Sequence, residues 1–259
     1  MAGHEWEPGR DSFANPLQGP NAWAPSLSGD SKEALQGWYN ESVRLSLLVA
    51  TGLADALRME EASVRTLCRG GETISLMRLF RYVARGSAEC VGGAPPETER
   101  TGSSPHTDWG FLTLILGDGA PGLQVKHAPA EATPAAGASP RRECSEEGAE
   151  VWHELDPEAR REPLLICGDY LGLLTDHRFR SPVHRVLLPR SDPRASFVFF
   201  YYPSYGAHFA DLAATALGEK RHGRVQHNTM LDLAAADPGA LDVPFGEYIR
   251  RKWGGVFKA

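Results

Sequence analysis

A histidine and an aspartate two residues apart open the most informative stretch of the chain, SPHTDWGFLTLIL, which runs from Ser104 to Leu116. Side chains two apart on an extended strand leave the same face, so His106 and Asp108 can offer a ring nitrogen and a carboxylate oxygen to one small ion. His184, in SPVHRVLLP, is the candidate third ligand. Two histidines and one carboxylate on one side of a metal, with the other side open, are the donor set typical of non-haem Fe(II) oxygenases.

Each member of this set also has an ordinary structural interpretation. In the first pair, the aspartate can hold a turn and leave the histidine exposed beside it. A single histidine on a strand, such as His184, is commonly a packed or exposed structural residue. The combination of the three on neighbouring strands of one predicted β core is what favours a metal site.

Arg194 and Ser196 form a second pair with the same spacing, at the start of the apolar run SFVFFYYP. They share one strand face, which Val198 and Phe200 continue. A guanidinium and a hydroxyl on an inward face can hold a carboxylate. An equally open alternative is a strand-edge arginine in a surface ion pair, beside a serine that caps a turn. If Arg194 points inward without an acidic partner, its burial is costly and implies an acidic ligand.

Aromatic side chains surround these candidates in the sequence. Tyr82 ends the apolar run TISLMRLFRYV. It can hydrogen-bond a carboxylate in the same pocket, or it can be a packed tyrosine. Five further aromatic residues can line a substrate pocket or belong to the core: Trp109, Phe111, Phe199, Tyr201 and Tyr202.

Length and composition limit the class of protein. The 259 residues are 42% hydrophobic and 23% charged, with a net charge of −6, which is ordinary for a soluble globular protein with a sizeable core. The negative charge argues against a nucleic-acid partner, and no apolar window is long enough to span a membrane. The start of the chain lacks the layout of a secretory signal, and the four cysteines form no CxxC pair, so we expect a cytoplasmic protein with free thiols. Oligomeric state cannot be read from the sequence.

Periodicity and turn residues predict the elements that position these side chains. A helix is expected from Asp30, as its cap, to about Leu57, and a short helix from Glu60 to Arg69. Strands are expected from Thr73 onward and at Phe111–Leu116, Leu123–His127, Trp152–Leu155, Val183–Leu188 and Ser196–Tyr202. The segment Gly86–Ser103 is predicted as loop, Leu164–Leu174 as two strands joined by a turn at Gly168-Asp169, and Asp211–Glu219 and Phe245–Trp253 as outer helices.

The order of these elements predicts a mainly β fold with flanking α: a double-stranded β-helix, or jelly roll, with helices packed at both ends. We expect one domain over residues 1–259. It has an N-terminal loop and helical segment at 1–72, a jelly-roll core at 73–203 with a flexible insertion at 128–150, and a C-terminal helical segment at 204–259.

The sequence resembles the isopenicillin N synthase-like group of Fe(II)/2-oxoglutarate-dependent dioxygenases. The matching segments, in the order of that family, read SPHTDWGFLTLIL, PGLQV, LLICGDYLGLLTDHRFRSPVHRVLLP and PRASFVFFYYP. GPNAWAPSLSG and FGEYIRRKW also resemble its segments, and the likeness extends over most of residues 15–255.

The resemblance implies that Fe(II) is held by His106, Asp108 and His184. It also implies that 2-oxoglutarate chelates the iron while Arg194 and Ser196 hold its distal carboxylate. The reaction that it implies is oxidative decarboxylation of 2-oxoglutarate by O2 to succinate and CO2, coupled to hydroxylation, desaturation or ring closure of a small organic substrate.

The chain also departs from the pattern of that family. Tyr82 falls where the family has a tyrosine that touches the co-substrate, but Phe80 replaces a common Asn and Val83 a common Pro. The stretch at 128–150 is longer than usual, and we expect this chain to lack most of the family's N-terminal region. Two alternatives therefore stay open. One is an Fe(II)/O2 oxidase of the same fold without 2-oxoglutarate, in which the Arg and Ser pair holds a substrate carboxylate. The other is a truncated, non-catalytic binding scaffold.

Overall fold

Antiparallel strands form the centre of the fold, with helices before, between and after them. The computed structural model describes residues 2–3, 17, 21–57, 74–84, 101–127, 151–155, 162–175, 178–189, 191–208 and 243–256. In chain order the elements are β1 (Ala2–Gly3), α1 (Gly29–Leu57), β2 (Leu76–Tyr82), β3 (Thr101–His106), β4 (Leu112–Gly117), β5 (Leu123–His127), β6 (Val151–Glu154), β7 (Leu164–Cys167), α2 (Asp169–Leu174), β8 (His184–Leu187), β9 (Arg194–Tyr201) and α3 (Phe245–Val256).

The strands form two facing sheets. One has the order β1-β2-β9-β4-β7 and the other the order β3-β8-β5-β6, and all the strand pairs are antiparallel. A small apolar cluster draws on both sheets, with Leu123 and Val186 from the four-stranded sheet and Tyr82, Ile115 and Val198 from the five-stranded one. The predicted jelly-roll core is confirmed.

The helices cover the other face of the five-stranded sheet. A second, larger cluster joins Tyr39 of α1, Leu171 of α2 and Ile249 of α3 to Met77 and Phe199 of the sheet. The described helices thus lie outside the space between the two sheets, where the predicted site residues are found.

The first helix has a narrow inward face of mostly small residues. Tyr39, Ser42, Ser46, Ala50 and Ala54 recur at helical spacing and are all buried. The helix lies where the sequence predicts it, but its start is capped by a different residue. The Oγ of Ser28, rather than Asp30, accepts the backbone N–H of Ser31 at 3.2 Å.

Two sequence predictions are wrong at particular elements. Residues Thr101–Ser103, predicted as loop, form the first half of β3. This strand is polar, irregular in register and at the edge of its sheet, so it carries no apolar alternation. The second half of Leu164–Leu174, predicted as a strand, is the helix α2, whose six residues are all buried. A fully buried apolar run has no periodicity that distinguishes helix from strand.

Several predicted features lie outside the described residues. They are the helices at Glu60–Arg69 and Asp211–Glu219, the insertion at 128–150, and Cys68, Cys90 and Cys144. Cys167 is described, and it is a partly buried free thiol. Among the described residues, no helix has the length and apolar character that a membrane span requires.

Candidate active site

His106 and His184 face each other across the first two strands of the four-stranded sheet. They are register partners in the β3–β8 ladder, and their ring centroids lie 4.3 Å apart. Along β8 the buried positions alternate, so His184 shares the inward face with Val186. The His184 side chain is 4% exposed, whereas that of His106, at the end of an edge strand, is 41% exposed. One histidine is thus enclosed and the other lies at the mouth of the site.

Asp108 completes the cluster just beyond the end of β3. One of its carboxylate oxygens lies 3.8 Å from Nε2 of His106, and the other lies 3.9 Å from Nε2 of His184. One possible ligand atom from each of the three side chains falls within 4.8 Å of the others. The three residues that the sequence proposes as metal ligands are therefore brought together.

Backbone carbonyls orient both imidazole rings. Nδ1 of His106 lies 2.7 Å from the carbonyl oxygen of Ser104, and Nδ1 of His184 lies 3.1 Å from that of Pro182. A carbonyl oxygen only accepts, so the contact assigns the proton to Nδ1 in each ring and leaves Nε2, the atom nearest to Asp108, available to bind a metal. Burial lowers the pKa of His184, against the opposing charge of Asp108, which favours the neutral imidazole that a metal needs.

The buried carboxylate of Asp108 tests whether a metal suits this cluster. Asp108 is 5% exposed, and its Oδ2 has no hydrogen-bond partner among the described residues. A buried anionic oxygen without a donor is costly, and a cation shared with two imidazole nitrogens removes that cost. The donor set fits a divalent transition metal with open positions, of which Fe(II) is the type case.

Arg194 and Ser196 lie at the start of β9 with both side chains turned inward. Arg194 is 1% exposed and Ser196 4%. Nη1 of Arg194 donates to the Ser196 hydroxyl at 3.3 Å, and Nε has no described partner. Burial lowers the pKa of Arg194, while the charges of Asp118 and Glu154 raise it. Neither carboxylate forms an ion pair with Arg194 among the described residues. The surface ion-pair interpretation of this arginine is therefore wrong.

Tyr82 lies beside the guanidinium. Tyr82 and Arg194 are register partners between β2 and β9, and the guanidinium carbon lies 5.3 Å from the centroid of the tyrosine ring. Phe80 stacks on the same tyrosine, with ring centroids 5.9 Å apart and planes at 14°. The face of the tyrosine ring thus contacts the cation, while the predicted hydroxyl contact with a carboxylate stays a prediction.

One cavity, partly open to solvent, contains both groups of polar residues. Its lining consists of Phe80, Tyr82, Ser103, His106, Asp108, Ile115, Leu123, His184, Val186, Arg194, Ser196, Val198 and Phe200. A mostly apolar wall with a few convergent polar groups is the usual composition of a small-molecule site.

The aromatic lining differs from the sequence expectation. None of Trp109, Phe111, Phe199, Tyr201 and Tyr202 is in the lining, and all five belong to the core on the other side of the sheet or pack against it. The aromatic rings in the lining are those of Phe80, Tyr82 and Phe200, together with the two imidazoles. Phe200 lies on the face of Arg194 and Ser196, as their spacing predicts. The signal for Phe80 is its spacing from Tyr82, since two residues on a strand share a face.

A family model described as the 2OG-Fe(II) oxygenase superfamily matches residues 75–203. Clavatol oxidase claD from Penicillium crustosum is 32% identical over 193 residues, which are 71% of this chain and 48% of that protein. The 2-oxoglutarate-Fe(II) type oxidoreductase hxnY of Emericella nidulans is 26% identical over 185 residues, 71% of this chain and 45% of the other. The chain thus spans less than half the length of these relatives.

Solved structures share the fold over nearly all of the chain. A full-length Neurospora crassa protein, solved in complex with alpha-KG and 5-formyluracil, superposes with a TM-score of 0.60 at 19% identity, covering 97% of this chain and 66% of that one. A 2OG-Fe(II) oxygenase family protein from Caulobacter crescentus gives a TM-score of 0.60 at 20% identity, covering 98% of this chain and 68% of the other.

Proposed function

We propose that this chain, which belongs to the 2OG-Fe(II) oxygenase superfamily, is an Fe(II)- and 2-oxoglutarate-dependent oxygenase that oxidises a small organic molecule. The observation that carries the proposal is the cavity itself. It joins a cluster of three metal donors, of which Asp108 and His184 are buried, to a buried guanidinium that has no acidic partner among the described residues.

His106, Asp108 and His184 would hold the iron. Their three donors fill one side of a six-coordinate ion and leave the other positions for co-substrate and O2. The two backbone contacts at Nδ1 fix the ring orientations before the metal arrives, which reduces the ordering that binding requires. The 41% exposure of the His106 side chain puts the mouth of the site on that side.

Arg194 and Ser196 would hold the distal carboxylate of 2-oxoglutarate. A desolvated guanidinium attracts a carboxylate more strongly than an exposed one does, and its planar fork suits two parallel hydrogen bonds. The unpaired Nε and the nearby Ser196 hydroxyl provide donors on the inward face. Tyr82, in contact with the guanidinium, would restrict its orientation.

The bound Fe(II), with 2-oxoglutarate and O2, supplies an oxidation in which 2-oxoglutarate becomes succinate and CO2 while the substrate is hydroxylated, desaturated or cyclised. The contribution of this chain is to bind and orient the reactants and to exclude water from them. Ile115, Leu123, Val186 and Val198 provide the apolar walls of the cavity. These walls keep solvent away from the reacting atoms.

One alternative uses the same residues. The guanidinium is suited to any carboxylate, so Arg194 and Ser196 could instead bind a substrate acid in an Fe(II)/O2 oxidase that needs no 2-oxoglutarate. The test is an anaerobic titration of the Fe(II)-loaded protein with 2-oxoglutarate, followed by visible absorbance. A weak metal-to-ligand charge-transfer band is expected, and it requires chelation of the iron by the 2-oxo acid.

Succinate is the matched control for this titration, because it has the distal carboxylate but no 2-oxo group and should give no band. Admission of O2 should then convert 2-oxoglutarate to succinate. A protein that binds iron but gives no band with 2-oxoglutarate favours the oxidase. A protein that binds no iron favours the non-catalytic scaffold.

A further inference from the structure

A buried aspartate outside the metal cluster holds the segment that contains Asp108. Asp169, the first residue of α2, is 1% exposed. Its Oδ2 accepts a hydrogen bond from the Thr107 hydroxyl at 3.0 Å, and its backbone N–H donates to the carbonyl oxygen of Asp108 at 2.7 Å. One residue therefore holds two consecutive residues of the metal-binding segment, one through its side chain and the other through its main chain.

The residues on either side of Asp169 extend this contact. The N–H of Gly168 donates to the carbonyl oxygen of Phe111 at 3.0 Å, and the N–H of Tyr170 donates to that of Gly110 at 3.1 Å. The first N–H groups of a helix have no partner within the helix, so they are available for such bonds. We call Gly168–Tyr170 the clamp.

The carboxylate of Asp108 needs such support more than the two histidines do. Each imidazole is oriented by its own bond to a backbone carbonyl. Asp108 Oδ2, in contrast, accepts no hydrogen bond from the described residues. The direction of this carboxylate therefore depends on how firmly its backbone is held, and the clamp and Thr107 are what hold it.

We infer that Asp169 is a positioning residue for metal binding, acting through the Thr107 hydroxyl and the Asp108 main chain. The inference rests on the proposed function, since it assumes that Asp108 is a metal ligand. A preorganised carboxylate loses less conformational freedom when the ion binds, so loosening the clamp lowers metal affinity even where the fold survives.

The test separates positioning from general stabilisation with near-isosteric variants. Thr107→Val removes the hydroxyl that donates a hydrogen bond to Asp169, whereas Thr107→Ser keeps this hydroxyl. Asp169→Asn removes the charge of the side chain but keeps an oxygen that can accept the hydrogen bond. Thr113→Val is the matched control, because Thr113 is another buried threonine, 1% exposed, whose hydroxyl has no partner among the described residues. For each full-length variant, Co(II) affinity is measured by competition with a chelator, together with the visible Co(II) spectrum and the melting temperature of the metal-free protein.

Thr107→Val is expected to weaken Co(II) binding by about 10-fold or more, the range seen when partners of metal ligands are removed, and to alter the Co(II) spectrum. Thr107→Ser should restore both, and Thr113→Val should change neither. Asp169→Asn combined with Thr107→Val should cost less than the two separate losses together, because both act on one hydrogen bond.

Each other outcome overturns the inference in a distinguishable way. If Thr107→Val binds Co(II) as the parent does, or if Thr113→Val loses as much affinity, Asp169 is only structural while the metal site stands. If the parent chain binds neither Co(II) nor Fe(II), the metal site itself is wrong and the positioning role falls with it.

Discussion

Tyr82 and Arg194 are direct register partners between β2 and β9, and the guanidinium carbon of the arginine lies 5.3 Å from the centroid of the tyrosine ring. Both residues are buried, at 8% and 1% exposure. The ring thus contacts the cation that we assign to 2-oxoglutarate.

This contact predicts that the ring of Tyr82 matters more than its hydroxyl. Tyr82→Phe keeps the contact and should leave 2-oxoglutarate affinity nearly unchanged. Tyr82→Leu removes it and should weaken binding by about 5- to 30-fold, since a desolvated cation–π contact is worth about 1–2 kcal/mol. The measurement is the anaerobic titration with 2-oxoglutarate. Equal losses in the two variants would show that the hydroxyl touches the co-substrate, as the family resemblance implies.

Arg194→Ala should spare the metal and weaken 2-oxoglutarate. The guanidinium donates to Ser196 and to none of the three metal ligands, whereas it provides the charge for the distal carboxylate. Loss of one partner of a buried charge pair costs about 2–5 kcal/mol, which predicts at least a roughly 30-fold weaker affinity for 2-oxoglutarate. Arg194→Lys keeps the charge without the planar fork, so its affinity for 2-oxoglutarate should lie between those of the parent and Arg194→Ala. An unchanged affinity in Arg194→Ala would remove the carboxylate assignment.

Asp108→Ala should abolish iron binding. The variant leaves two imidazoles without an anionic ligand, and we expect iron affinity to fall by about 100-fold or more. This loss exceeds the one expected when a residue that only hydrogen-bonds to a ligand is removed. Asp192→Ala, at an exposed position, is the control. Chelator competition with Fe(II) under anaerobic conditions gives the affinities. Parent-like iron binding by Asp108→Ala would place the metal elsewhere.

Local signals in the sequence account for most of the site and the strands. The two-residue spacing of Arg194 and Ser196 correctly predicts a shared face, because strand alternation is a local property. His106 and Asp108 also come close, but Asp108 lies beyond the end of β3, so strand alternation does not explain their approach. The approach of His184 to His106 depends on pairing between strands far apart in the chain, so it cannot be predicted from the local spacing around either residue. From the sequence, this approach is expected from the donor types on neighbouring predicted strands and from the resemblance to a family.

Other features could not be read from local patterns. β3 has no apolar alternation because it is a polar edge strand, and α2 is buried all round, so its helical period is invisible. The role of Asp169 is hidden for a similar reason. Its partner, Thr107, lies 62 residues away in the sequence, and no pattern in GDYLGLL predicts the contact.

Metal and 2-oxoglutarate together should raise the melting temperature of the chain. A ligand that binds only the folded state at about 100 times its Kd adds about 2.7 kcal/mol. For a protein of this size that corresponds to a shift of about 5–10 °C. Fe(II) or Co(II) alone should give part of the shift, and EDTA should reverse it. In Arg194→Ala the metal-dependent part should persist while the part due to 2-oxoglutarate falls to about a third or less, because a ligand weakened about 30-fold adds only about 0.9 kcal/mol at the same concentration. A full shift in that variant would contradict the assignment.

Gly168→Ala should destabilise the fold and weaken metal binding together. A Cβ at this position would collide with the carbonyl oxygen of Gly110, within the segment that leads from Asp108 into β4. Backbone cannot rotate away as a side chain can, so the chain must shift, at a cost of about 1–3 kcal/mol of unfolding free energy. Gly206→Ala is the control, because a Cβ there meets nothing within 4 Å. Urea unfolding of the metal-free proteins and Co(II) affinity give the two values. Lost stability with parent-like Co(II) affinity would mean that the cavity tolerates movement of this segment, and that the close approach of the two glycines serves the fold alone.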